Sequence, residues 1–185
     1  MIKFFNSVNC YTDASVIQMG DKYISCSGYV TVIHGDIVDS NYKIFYDGTN
    51  NFGEIYAIYM GIQSLVSLKD YDLFLNLFSD SKISVFGVRD WIFNWVKNMD
   101  SNYVLKTASN ISVANQDVFV NVVNNILQAN SHISIYHQKG HRNPDNVNNM
   151  ENCISLFSKM NGGEQINIDI AREISYYNNL VDKTS

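Results

Sequence analysis

Residues 72–80 read Asp72-Leu73-Phe74-Leu75-Asn76-Leu77-Phe78-Ser79-Asp80. An apolar run this continuous, closed by a serine and an acid, fits a strand buried on both faces. Just before it, Gly53–Leu68 carries Ile55, Ile58, Tyr59, Ile62, Leu65 and Val66 at helical spacing. A helix feeding a fully buried strand is the pattern of a crossover onto a parallel neighbour. Further back, Asn6–Asp13, Lys22–Ile33 and Ile37–Tyr46 are extended runs with short connections, which predict an antiparallel meander. Forward of the run, Ser81–Asn98 predicts one or two helical pieces broken near Gly87. Gln116–Gln128 predicts a helix capped by Asn115, with Val120, Val123, Ile126 and Leu127 inward. His132–Gln138 predicts a short strand. The expected fold is α/β: a five-stranded mixed sheet, a meander plus two parallel strands, flanked by helices.

The chain has 185 residues, 46% hydrophobic and 17% charged, which suits one domain with a real core. No stretch reaches the roughly 20 apolar residues of a membrane span. Met1-Ile2-Lys3-Phe4-Phe5 is too short an apolar start for a signal peptide. Cys10, Cys26 and Cys153 have no metal-ligand spacing, so reduced thiols and a cytoplasmic location are expected. The net charge of −5 argues mildly against a nucleic-acid binder. That argument weakens if several acids are gathered in one cation site, because bound cations would neutralise them.

Four carboxylates stand in distinctive frames: Asp13 in Tyr11-Thr12-Asp13-Ala14-Ser15, Glu54 after Thr49-Asn50-Asn51, Asp80 in Phe78-Ser79-Asp80-Ser81-Lys82, and Asp182 in Asn178-Asn179-Leu180-Val181-Asp182. Asp13 and Asp80 fall near the ends of two predicted strands, Glu54 in the predicted first turn of a helix, and Asp182 near the end of a helical tail. Oxygen ligands drawn from distant parts of a chain suit hard divalent cations such as Mg²⁺ or Mn²⁺. Two such ions about 4 Å apart can clamp an in-line displacement at phosphorus.

These frames, in this order, resemble type 1 ribonuclease H. Thr12-Asp13-Ala14-Ser15 is similar to the family's first-strand motif, with Ala14 where glycine is usual. Thr49-Asn50-Asn51-Phe52-Gly53-Glu54, Ser79-Asp80-Ser81-Lys82, Trp91-Ile92-Phe93-Asn94-Trp95, Asn110–Asp117, Lys139-Gly140-His141 and Asn178-x-x-x-Asp182 resemble later segments. The resemblance implies a ribonuclease H-like fold and hydrolysis of the RNA strand of RNA–DNA hybrids to 5′-phosphate and 3′-hydroxyl ends. It implies two Mg²⁺ ions, with Mn²⁺ as a substitute, on Asp13, Glu54, Asp80 and Asp182. Glu54 would lie near the RNA 2′-hydroxyl. His141, on a loop, would assist proton transfer or product release. Asn50, Asn51, Lys82, Trp91 and Gln116 are the expected substrate contacts, although Trp91 and Trp95 also have the spacing of core residues.

One departure stands out. The family's last aspartate follows the glycine-histidine pair closely, whereas Asp182 comes after the long interval 142–177, which reads as an insertion. A helix is expected there around Asn148–Met160, then a turn at Asn161-Gly162-Gly163 and a final helix. Asp145 and Glu173 are rivals for the fourth position, but neither has the Asn-x-x-x-Asp frame. Two other functions stay open on the residues alone: a nucleic-acid-binding module of this fold with little nuclease activity, and a nuclease of related fold acting on another duplex.

Overall fold

The computed structural model describes residues 2–129 and 131–183. Five strands form one sheet in the order β3-β2-β1-β4-β5. They are β1 (Ser7–Met19), β2 (Lys22–Ile33), β3 (Asp36–Tyr46), β4 (Phe74–Ser79) and β5 (Ile133–His137). β1, β2 and β3 pair antiparallel; β4 runs parallel to β1, and β5 parallel to β4. The expected five-stranded mixed sheet is therefore the observed one. The first strand differs in length, running past Asp13 to Met19, because Ala14–Met19 stays paired with Lys22–Ser27 up to the turn at Gly20.

Strand alternation divides the side chains between two layers. Val8, Cys10, Leu75 and Leu77 face α1 (Asn50–Ser67) and α4 (Gln116–Ala129). Helix α1 lies close on the sheet: a β-carbon at Gly61 would come 2.7 Å from Thr12 Cγ2 and 2.9 Å from Cys10 Sγ. In α4 the inward face is Val118, Phe119 and Val122, rather than the expected Val120, Val123, Ile126 and Leu127. Val120 and Leu127 are exposed, and Val123 and Ile126 pack only partly. The helix is rotated because Phe119 fills the space over Gly87, where a β-carbon would overlap its ring. Gly87 opens a π-helical turn (Gly87–Trp91) between α2 (Lys82–Phe86) and α3 (Ile92–Lys97), which is the break expected there.

The opposite face carries Tyr11, Val30, Val32 and Phe78. The interval 142–177 covers it. Helix α5 (Val147–Met160) contributes Met150, Cys153 and Phe157, and α6 (Ile168–Asp182) contributes Ile170, Ile174, Tyr177 and Val181. Tyr11 stacks between Phe78 at 5.2 Å and Tyr177 at 5.1 Å. This long segment is thus a layer of the core, and its packing aims the C-terminal end of α6 at the end of β4. Among the described residues no helix is long and apolar enough to cross a membrane.

Candidate active site

The parallel register of β1 and β4 sets the first two acids side by side. Thr12 pairs with Ser79, so the next residues, Asp13 and Asp80, emerge together where β4 ends. Glu54 reaches them from α1. That helix begins at Asn50, capped by Thr49, whose hydroxyl accepts the Phe52 N–H at 3.2 Å. Glu54 therefore lies just beyond the first turn rather than within it, and the sheet and the neighbouring acids, more than the helix end, decide its charge. Its placement depends on Gly53: a β-carbon there would overlap the Ser25 hydroxyl, and the Ser27 hydroxyl donates to the Gly53 carbonyl at 2.8 Å.

Asp13, Glu54 and Asp80 each offer a carboxylate oxygen, all within 4.8 Å of one another. Asp13 and Glu54 are buried, at 4% and 7% exposure. Three acids this close repel one another, and burial penalises each charge. Burial first, then the Asp13, Asp80 and Asp182 carboxylates, raise the Glu54 pKa to about 9. Burial and then Asp80 raise Asp13 to about 7, although the Ala14 N–H donates to its Oδ1 at 2.8 Å. Asp80 is raised by burial and lowered by His141. Among the described residues the buried Glu54 Oε2 has no hydrogen-bond partner. A cation would relieve both the repulsion and that orphaned oxygen, and the all-oxygen donor set fits a hard divalent ion.

Asp182 and His141 stand at the rim. The last turn of α6 carries Asp182 close enough to raise the pKa values of all three acids. His141 Nδ1 lies 3.4 Å from Asp182 Oδ2. The two rival acids lie elsewhere: Asp145 is exposed in a turn, and Glu173 acts on Tyr11 and Tyr177. His137 braces the Asp80 turn, its Nε2 3.1 Å from the Asp80 carbonyl.

The expected substrate contacts are more dispersed. Asn50 and Asn51 are exposed on the first turn of α1, one turn before Glu54. Lys82 is exposed at the start of α2, its ammonium 5.9 Å from the Phe86 ring. Trp91 is 38% exposed against Phe86 and Trp95, whereas Trp95 is buried against Phe119. Gln116 is partly buried, and its Oε1 accepts the Leu105 N–H at 2.7 Å, so that oxygen holds a loop in place. Two residues of the site lay outside the sequence-based set: Gly140, whose lack of a side chain lets the histidine loop press on Asp80, and Asn179, whose amide bonds to that loop. The Lys139-Gly140-His141 frame was the available signal for Gly140.

A family model described as RNase H matches residues 6–153. The chain belongs to the ribonuclease H family. A curated ribonuclease H from Ruthia magnifica subsp. Calyptogena magnifica is 29% identical over 150 residues, covering 81% of this chain and 93% of that protein. The fold is similar to that of a foamy viral protease-reverse transcriptase solved in complex with RNA/DNA hybrid, with TM-score 0.64 and 17% identity. That alignment covers 88% of this chain and 20% of the much longer viral one. It is also similar to the PFV RNase H domain, with TM-score 0.61 and 15% identity over 84% of this chain and 92% of that one. At these identities the structural likeness is one of fold. This ribonuclease H has its family match end at residue 153, so α6 and Asp182 lie beyond the matched segment.

Proposed function

We propose that this ribonuclease H cleaves the RNA strand of RNA–DNA hybrids by metal-dependent hydrolysis, leaving 5′-phosphate and 3′-hydroxyl ends. The observation that carries the reading is the Asp13, Glu54 and Asp80 cluster, with its partnerless Glu54 oxygen, inside a ribonuclease H fold. Asp13, Glu54, Asp80 and Asp182 would hold two Mg²⁺ ions, which supply an activated water and stabilise the leaving 3′-oxygen. The relative solved with an RNA/DNA hybrid supports the choice of substrate.

The chain's own groups have separable tasks. The sheet fixes Asp13 and Asp80, so the cage is built before any cation arrives. In this reading Glu54 also lies near the RNA 2′-hydroxyl, the group that DNA lacks. His141, with its Nδ1 3.4 Å from Asp182 Oδ2 and its ring exposed, assists proton transfer or product release. Asn50 and Asn51 at the start of α1, and Lys82 at the start of α2, serve as donors for the substrate backbone.

The test compares end-labelled RNA–DNA hybrid, duplex RNA and duplex DNA with Mg²⁺ or Mn²⁺. Cleavage confined to the RNA of the hybrid is the expected result. Equal cleavage of duplex RNA, or a hybrid left intact in both metals, would overturn the reading.

A further inference from the structure

His141 is held from both sides. Upstream, Gly140 packs directly on the Asp80 carboxylate, and a β-carbon there would overlap it. Downstream, the Asn179 side-chain amide on α6 donates to the Arg142 carbonyl at 2.7 Å. The rest of the loop bonds to itself and to α5: Asn146 N–H to the Asn143 carbonyl at 3.2 Å, Asp145 N–H to Asn143 Oδ1 at 3.0 Å, and Arg142 Nη1 to Asn149 Oδ1 at 3.3 Å. Between its two anchors His141 has φ 53°, in the left-handed region that few non-glycine residues adopt, histidine more readily than most. Its ring is 74% exposed, so side-chain packing does little to hold that conformation.

We propose that Asn179 is a positioning residue: by holding the Arg142 carbonyl, it keeps His141 in the left-handed conformation that turns its imidazole toward Asp182. Asn179 sits three residues before Asp182, less than one helical turn away. One turn of α6 therefore supplies the fourth acid and restrains the histidine loop together. Loss of the strap lets His141 relax to negative φ and swing its ring away from the cluster, while the three-acid cage, built on the sheet and α1, stays in place. The inference rests on the reading of His141 as a working group of the site.

A double-mutant cycle on the full chain tests it, with the hybrid and Mg²⁺ as probe. Asn179→Ala is expected to lower kcat on the order of tenfold, with KM within about twofold. In a His141→Ala background the same change should alter kcat by less than about twofold, since the group it positions is gone. Asn179→Asp, which cannot donate, should match the alanine variant, and Asn179→Gln should restore part of the rate. Hydrogen exchange of the His141 and Arg142 amides gives a reading independent of catalysis: faster in Asn179→Ala, with α6 amides and Tm unchanged. Equal kcat losses in both backgrounds, or unchanged loop exchange, would overturn the proposal. A wild-type chain inactive on the hybrid would instead overturn the proposed function, and loop exchange would still decide the role of Asn179.

Discussion

Gly140 rests so closely on the Asp80 carboxylate that a single added methyl group would occupy the space of its Oδ2. Backbone and carboxylate therefore fix each other. Gly140→Ala is expected to displace either Asp80 or the histidine loop and to lower hybrid cleavage on the order of a hundredfold, because small misplacements at a reacting centre are costly. The circular dichroism spectrum should be unchanged, since the sheet does not depend on this contact. A variant with near-normal rates would show that the contact is dispensable.

Glu54→Gln should separate stability from function. Burial and three neighbouring acids raise the Glu54 pKa to about 9, so the metal-free folded chain must take up a proton that the unfolded chain has released, whereas glutamine is neutral in both states. Metal-free protein at pH 8 is expected to melt a few degrees higher, at about 2–4 °C per kcal/mol for a domain of this size. Cleavage should fall by about a hundredfold or more, as the proposed metal ligand is lost. Scanning calorimetry beside a cleavage assay checks both signs.

The same acids set a pH dependence. Folding raises the Asp13 pKa from 3.8 to about 7 and that of Glu54 from 4.5 to about 9. The native state then binds more protons than the unfolded chain, so stability falls as pH rises. The contribution is fully present below about pH 4 and is lost progressively through pH 7 and then pH 9. The Tm of metal-free protein should decline from pH 5 to pH 9, and added Mg²⁺ should raise it more at pH 9 than at pH 6. A flat profile would contradict the crowding of these carboxylates.

Asn161 closes the free edge of β5. Its amide accepts the His137 N–H at 2.8 Å and donates to the His137 carbonyl at 2.7 Å, as a neighbouring strand would. Arg89 also donates to its oxygen at 2.9 Å. Asn161→Leu leaves these partly buried groups unpaired and should cost about 2–4 kcal/mol in urea unfolding. A loss below about 0.5 kcal/mol would mean that water replaces the amide without penalty.

Much of this was legible because local periodicity and burial agree. The apolar run ending in Ser79-Asp80 is a buried parallel strand, and the helix before it delivers Glu54, as its spacing implied. Asp182 was harder to place. It follows α5, a glycine turn and α6, and only the packing of Met150, Phe157, Ile174 and Tyr177 on the far face of the sheet returns it to the site. Spacing along a chain carries no record of that return. The phase of α4 is not legible in the sequence because exposed Val120 and Leu127 are as apolar as its buried residues, and the fit of Phe119 over Gly87 selects the face. The Lys139-Gly140-His141 frame marks the loop, but the contacts of Gly140 with Asp80 and of Asn179 with Arg142 join segments far apart in sequence, which composition and spacing do not encode.

β1, α1, the turn after β4 and α6 bring four carboxylates together, and the proposed function makes them one divalent-cation site. Anomalous diffraction from crystals of the full chain soaked in Mn²⁺ tests it most directly. The account predicts Mn²⁺ bound by Asp13, Glu54 and Asp80, with Asp182 at the edge of the same cluster. Manganese absent from the cluster at saturating concentration, or bound there with Glu173 or Asp145 in place of Asp182, would contradict it.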